Sequence, residues 1–187
     1  MATASEIKPV IVIDSREQQP LTFAHLTTIT AGLVSGDYSV AGLESLFAVE
    51  RKTVADLVGS VTSGRDRFER ELLRLRGYRF RRLLIIGTEQ KIIDHVSKIK
   101  KRHGAKANAA GVIGSIRAFE HRYDVPFVFC ATAKQAAEQV EVWAYYAARE
   151  AIKVGDAVRK EMKRNDRRTD NEITQRGGDG LVLPQTR

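Results

Sequence analysis

The chain has 187 residues, 43% of them hydrophobic, enough to bury a core and too many for a disordered protein. No apolar run approaches the roughly 18 residues of a membrane helix, and no signal peptide is evident. With one cysteine, Cys130, these features predict an intracellular protein (cytoplasm, nucleoid or nucleus) that is not secreted. The formal net charge of +8 favours an acidic partner.

Strand and helix patterns alternate along the chain. Short β-branched or apolar runs predict strands at 9–13, 38–41, 46–51, 82–87 and 126–129. Helical spacing predicts helices that begin after Thr53 and at 65–76, 88–101, 107–123 and 132–150, with a short helix in 22–32. This alternation predicts an α/β fold with a central mixed β-sheet flanked by helices.

The composition changes near the C-terminus. Residues 159–172 are dense in charge and almost free of aliphatic side chains, and glycines follow from Gly177 onward. We therefore predict one domain over 1–153 and, over 154–187, an extension of the last helix that frays into a charged, disordered tail.

A predicted hairpin carries the main candidate site. Its second strand ends in Glu50-Arg51-Lys52, three charges that cannot be buried together without partners. Alternation places Glu50 and Lys52 on one face, and Asp37, just before the hairpin, can meet Glu50 across it. Two carboxylates and an ammonium group suit a hard divalent cation and a phosphate.

Two further acids have both structural and functional interpretations. Asp14 ends the first strand, where it could simply pair with Arg16. Asp56 lies three residues after Thr53, so its carboxylate could simply close a capping box at the start of a helix.

Basic residues form two clusters that favour a polyanion, and nucleic acid is the natural one. Residues 65–82 contain eight arginines, three of which (Arg67, Arg70 and Arg74) fall away from the apolar stripe of their helix. The second cluster, at 98–106, contains no acidic residue.

The motifs around the hairpin resemble those of the XPF-type nuclease family. They are Val12-Ile13-Asp14-Ser15-Arg16-Glu17, then Gly36-Asp37-Tyr38, Glu50-Arg51-Lys52 followed by Asp56-Leu57, and finally Gly59-Ser60-Val61 with Gly64-Arg65. They occur in the family's order over about residues 10–85, which is far more specific than a lone Glu-x-Lys. The resemblance implies a restriction-endonuclease-like core.

The resemblance also implies a function: a Mg²⁺- or Mn²⁺-dependent DNA endonuclease acting on branched, flap or fork DNA in repair or recombination. It implies that the catalytic residues are Asp37, Glu50, Lys52, Asp14 and Asp56. Of these, Asp37, Glu50 and Asp14 would be the metal ligands. Arg16 and Arg65 would hold the DNA backbone with Arg67, Arg70 and Arg74. Arg51 is assigned to DNA as well, although it points away from Glu50 and could brace the site through a carboxylate.

The chain departs from the family in one respect. XPF-type nucleases usually append a tandem helix-hairpin-helix module, and the residues after 153 are too few and too polar for it. A partner chain could supply that recognition of DNA structure. The alternative function is a non-catalytic DNA-binding or scaffolding subunit that retains the nuclease fold.

We also expect a homodimer through the helices at 107–123 and 132–150. The first helix carries a line of small residues that allows close backbone approach: Ala107, Gly111, Gly114 and Ala118. The second carries Trp143, Tyr145 and Tyr146, residue types that anchor interfaces.

Overall fold

A computed structural model describes residues 7–103 and 108–177 of the chain. Its strands are β1 (Ile11–Asp14), β2 (Thr28–Ala31), β3 (Tyr38–Val40), β4 (Phe47–Thr53), β5 (Phe80–Ile86) and β6 (Phe127–Cys130). Its helices are α1 (Val54–Val61), α2 (Arg65–Arg76), α3 (Glu89–His103), α4 (Ala109–Tyr123) and α5 (Ala133–Gly177). Within these described ranges, no helix is long and apolar enough to cross a membrane.

All six strands join one mixed sheet in the order β2-β1-β3-β4-β5-β6. β3 is antiparallel to both β1 and β4, and the remaining neighbours are parallel. The predicted α/β class with a central mixed sheet is therefore confirmed.

The sheet separates two hydrophobic cores. Alternation along β5 sends Leu83 and Ile85 to the face covered by α1–α4, and Leu84 to the face covered by the first turns of α5. Because β4 and β5 are buried on both faces, they hold the charged end of β4 in a fixed position.

The prediction of a short helix within residues 22–32 is wrong. Residues 28–31 form the exposed edge strand β2, parallel to β1, and Ile11 N–H donates to Thr27 O at 2.9 Å. Thr28, Ile29 and Thr30 are β-branched and stiff at χ1, so pairing with β1 prevails over a weak helical pattern.

The last helix extends beyond its predicted end at residue 150. It runs to Gly177, so residues 154–177 continue the helix, in the direction of the predicted helix extension. Pairs spaced three apart support this part of the helix, as between Arg159 and Asp156 at 3.1 Å. The chain divides into compact units at 1–148 and 149–187, and the domain boundary at 153 stays a prediction. Residues 178–187 of the predicted tail, like Ala107 in the predicted interface, lie outside the described residues.

Candidate active site

The β3–β4 hairpin brings Asp37 and Glu50 together. Tyr38 pairs with Val49, so the next antiparallel position sets Asp37 opposite Glu50. Asp37 N–H donates to Val49 O at 2.8 Å, and Asp37 Oδ2 accepts from Arg51 N–H at 2.7 Å. Asp37 comes just before β3, so its carboxylate accepts the hydrogen bond from β4 that a strand carbonyl would otherwise accept.

Gly36 makes this approach possible. Its φ is +84°, a conformation that favours glycine, and a Cβ there would lie 3.1 Å from Val49 O. The glycine of the Gly36-Asp37 motif is therefore required to seat Asp37 against β4.

The pKa values of Asp37 and Glu50 are both raised. Burial raises the pKa of Asp37 to about 6, and the charge of Glu17 adds to this. Burial also raises the pKa of Glu50 to about 8, reinforced by the negative charges of Asp37 and Glu71. Two facing carboxylates of this kind form a site that a cation would stabilise.

Lys52 lies between two carboxylates. Its Nζ is 2.7 Å from Glu71 Oε1 and 3.3 Å from Glu50 Oε1, and it sits 5.5 Å from the centre of the Phe68 ring. Burial on its own lowers the pKa of Lys52, but the charges of Glu50 and Glu71 outweigh it and the pKa is raised. Lys52 is therefore a protonated ammonium beside Glu50.

Glu71 is the site residue that sequence reasoning missed. By its spacing along α2, Glu71 is only a candidate for helical pairs with neighbouring arginines. The available signal was its position three residues after the buried Phe68 and next to the buried Leu72, on the edge of the stripe that α2 turns inward.

Asp14 supports the site from the neighbouring strand. Asp14 Oδ1 accepts from Arg16 N–H at 2.9 Å and Arg16 Nε at 2.7 Å, while Oδ2 accepts from Arg16 Nη2 at 3.1 Å and Leu33 N–H at 2.6 Å. The side-chain hydrogen bonds from Arg16 are the main reason that the pKa of Asp14 is lowered to about 2. Both oxygens accept hydrogen bonds that position the loop at Leu33, and the role of Asp14 as a metal ligand stays a prediction.

Arg51 braces the opposite side of β4, as one of its two predicted roles requires. Its Nε and Nη2 donate to Glu17 at 3.0 and 2.9 Å, a bidentate pair with side chains 12% and 6% exposed. Burial raises the pKa of Glu17, but Arg51 outweighs it and the pKa is lowered. A DNA contact by Arg51 stays a prediction, since its guanidinium is already engaged.

The donor set favours a hard ion that keeps part of its water shell. Within 7–103 and 108–177, no group of three or more His, Cys, Asp or Glu side chains is arranged to hold a metal ion. Asp37 and Glu50 supply two oxygen ligands, and Mg²⁺ is usually bound in this way, by one or two carboxylates with waters and substrate phosphate.

The ERCC4 domain model matches residues 13–142, well over half of the chain. The chain belongs to the ERCC4 domain family. It is similar to the solved structure of XPF from Aeropyrum pernix, with a TM-score of 0.59, 18% identity and coverage of 96% of this chain and 68% of that one. It is also similar to the structure titled XPF from Aeropyrum pernix in complex with DNA, with a TM-score of 0.58 and 20% identity. That match covers 76% of this chain and 66% of the other. The comparison with curated proteins gave no match.

These findings confirm the resemblance to XPF-type nucleases and the fold that it implies. The ERCC4 match covers every predicted catalytic residue, from Asp14 to Asp56. The two structural likenesses lie below 25% identity and support the fold alone.

In this ERCC4 domain, Asp56 closes a capping box. The Thr53 hydroxyl donates to Asp56 Oδ2 at 2.6 Å, and Asp56 N–H donates back to Thr53 Oγ1 at 3.2 Å. This is the structural interpretation that the sequence left open, and the catalytic role of Asp56 stays a prediction.

The predicted DNA-binding arginines differ in their surroundings. Arg67, Arg70 and Arg74 are exposed on α2. Arg65 stacks 4.4 Å from the Phe119 ring centre and pairs with a glutamate of its own helix. Arg16 is 71% exposed even though it binds Asp14. The exposed arginines of α2 give that helix a positive outer face.

A cleft of about 630 Å³ opens beside Lys52, between α1 and α2. It is lined by Arg51, Lys52, Ala55, Asp56, Gly59, Ser60, Ser63, Gly64 and Arg67. The cleft thus brings Lys52, the neighbour of Glu50, onto the same concave surface as Arg67 of α2.

Proposed function

We propose that this ERCC4 domain is a Mg²⁺- or Mn²⁺-dependent endodeoxyribonuclease that hydrolyses phosphodiester bonds. The observation that carries the proposal is the facing pair Asp37 and Glu50, with pKa values raised to about 6 and 8, beside the ammonium of Lys52. Such a pair destabilises a protein that leaves it empty, and a divalent cation would offset that cost.

Each residue of the site has a role that its contacts support. Asp37 and Glu50 would hold the ion, which when bound would polarise the scissile phosphate and lower the pKa of a water ligand. Lys52, held by Glu71 at 2.7 Å, is placed to orient that water and to offset negative charge on the phosphate. Asp14 and the Arg51–Glu17 pair keep the strand ends in place.

The substrate class follows from charge and from the relatives. The exposed arginines of α2 suit a phosphate backbone, and one similar structure is that of XPF in complex with DNA. We therefore take intracellular DNA as the substrate, with branched, flap or fork junctions of repair or recombination as the preferred forms.

A homodimer through α4 and the first turns of α5 is the corresponding assembly. Gly111, Gly114 and Ala118 are exposed, and a Cβ at Gly114 would meet nothing within 4 Å, so its own fold does not explain that glycine. Tyr146 is 57% exposed. Trp143 is better explained by its own chain, because it packs against Phe80 at 5.7 Å. Sedimentation of the wild type beside a Gly114→Leu, Tyr146→Glu variant tests the assembly, and a monomeric wild type at micromolar concentration would contradict it.

Cleavage of defined substrates tests the nuclease directly. Labelled flap, fork, splayed-arm and linear duplex DNA are incubated with Mg²⁺, Mn²⁺ or chelator, and Asp37→Asn serves as the inactive control. We expect metal-dependent cuts near junctions that the control does not make. Binding of these substrates without any cleavage would favour the non-catalytic subunit instead.

A further inference from the structure

We propose that the cleft between α1 and α2 is a binding site for one non-scissile phosphate of the DNA strand. This inference rests on the proposed nuclease function and adds a position to it. The site is formed by Ser60, the N-terminus of α2 and Arg67, and it adjoins the metal ligands through Lys52, which lines the cleft.

Ser60 is the first observation. Its side chain is 9% exposed and lines the cleft, and its hydroxyl has no hydrogen-bond partner within residues 7–103 and 108–177. The neighbouring hydroxyls are engaged, since Thr62 Oγ1 donates to Val58 O at 2.7 Å and Ser63 Oγ to Gly59 O at 3.5 Å. Because this hydroxyl reaches the surface of the cleft instead of being sealed in the core, it is free to bind a ligand there.

The N-terminus of α2 is the second observation. Gly64 is the N-cap residue of this helix, and no side chain caps the helix. The Phe68 N–H donates the first hydrogen bond of the helix, to Gly64 O. In the described part of the chain, the N–H groups of Arg65, Asp66 and Arg67 have no acceptor. Unfilled N–H groups and the helix dipole attract an anion at this end.

The charges around the cleft agree with an anionic ligand. Arg67 is exposed and makes no ion pair with any described residue, so its guanidinium is available. Arg51 and Lys52 also line the cleft, but carboxylates already pair with both, Glu17 with Arg51 and Glu50 and Glu71 with Lys52. Arg67 therefore supplies the unpaired positive charge of the cleft, whose one acidic lining residue, Asp56, accepts from Thr53 through Oδ2.

The turn between α1 and α2 is also rigid enough to preorganise the site. Gly64 N–H and Thr62 N–H both donate to Gly59 O, at 2.9 and 3.3 Å. A Cβ at Gly59 would meet nothing within 4 Å, so the space above this residue is open to a ligand. A side chain can be introduced there without disturbing the turn.

Gly59 therefore provides a blocking variant that should fold. Gly59→Glu sends a negative side chain into the cleft, and Gly59→Ala is the matched control, which also favours the helix. Arg67→Gln removes the free guanidinium, and Arg76→Gln is its control on the same helix, outside the cleft. Thermal unfolding of all four variants confirms that they are folded before they are compared.

The experiment places a neutral methylphosphonate at each position, one at a time, of a DNA substrate around the cut site. For the wild type, we expect neutralisation of one non-scissile position to lower kcat/KM by about tenfold, the value of a hydrogen bond to a charged group. That position-specific loss should shrink to less than about twofold in Gly59→Glu and Arg67→Gln, because the contact is already gone. Gly59→Ala and Arg76→Gln should keep it.

The same loss at that position in wild type and in both cleft variants would overturn the proposal. The proposal would also be overturned if no single methylphosphonate at a non-scissile position lowered the kcat/KM of the wild type. Dissociation constants of the same substrates with Ca²⁺ in place of Mg²⁺ separate this outcome from failure of the nuclease proposal. A chain that never cuts but shows the position-specific loss in binding refutes the activity and keeps the phosphate site.

Discussion

Two pairs of carboxylates lie near the same strand ends and differ in how many donors surround them. Asp14 accepts four hydrogen bonds and Glu17 holds a bidentate arginine, and the pKa of each is lowered. Asp37 accepts one backbone N–H and Glu50 shares one lysine, and the pKa of each is raised. Burial raises the pKa of all four carboxyl groups, and only for Asp14 and Glu17 do the donors outweigh it, whereas for Asp37 and Glu50 nearby carboxylates add to the rise.

This contrast separates structural acids from acids available for chemistry. A saturated carboxylate contributes to the free energy of unfolding through its partners. An unsaturated pair reduces that free energy and is retained where a ligand completes it. Ion pairing alone would not distinguish the two, since Glu50 has a lysine within 3.3 Å.

The largest expected effect is on catalysis, from the unsaturated pair. Glu50→Gln should lower the cleavage rate on the order of a thousandfold or more, because several kcal/mol of charge stabilisation are lost with the ion. DNA affinity should change by less than about threefold, since the phosphate contacts lie elsewhere. Single-turnover cleavage and fluorescence anisotropy measure the two quantities, and near-normal turnover would remove Glu50 from the site.

A smaller effect, on stability, is expected from the saturated pair. Arg51→Met leaves Glu17 buried without its partner and should lower the free energy of unfolding by about 3 kcal/mol, roughly 6–12 °C in Tm for a chain of this size. Chemical denaturation measures it, with the exposed Arg70→Met as control. Adding Glu17→Leu should recover at least half of the loss, and a double variant no better than the single one would show that packing, not the charge pair, is responsible.

The next effect concerns Glu71, which lies between the two classes. Glu71→Gln should reduce kcat by about ten- to a hundredfold, because Lys52 loses its closer partner while the metal ligands remain. KM should change little. Glu69→Gln is the matched control, since Glu69 lies on the same helix but pairs with Arg65 and Arg122 instead of Lys52, and equal rates for the two variants would mean that Glu50 alone positions Lys52.

The smallest effect is a pH dependence of the metal-free protein. Between about pH 4 and 8 the folded state binds more protons than the unfolded one, because the pKa of Asp37 is raised to about 6 and that of Glu50 to about 8. Stability therefore falls as the pH rises through this window. Thermal melts with chelator should show a shallower fall for Glu50→Gln, and added Mg²⁺ should stabilise the wild type most at the upper end. Parallel curves for wild type and variant would contradict the assignment.

Much of the local structure could be predicted from the sequence because its signals are local. Helix α2 begins at Arg65 and ends at Arg76 before Gly77, as the apolar spacing and the glycine predict. Thr53 caps α1 with Asp56 as the spacing suggests. The hairpin ending in three charges could be read from alternation alone.

The rest depends on contacts between distant segments. Asp14 is saturated by Leu33, 19 residues away, and Lys52 is held by Glu71 from another helix. No short window contains either pairing. Strand β2 likewise exists because β1 offers it an edge, and its own sequence predicts little.

The bond from Arg51 N–H to Asp37 Oδ2 links strand pairing to chemistry. A hairpin displaced by one residue would set Gly36 or Tyr38 opposite Glu50 and turn every side chain to the wrong face. No second carboxylate would then face Glu50. The native alignment of β3 with β4 is therefore a condition for the proposed nuclease activity, because a chain paired in any other register would lack the facing carboxylates.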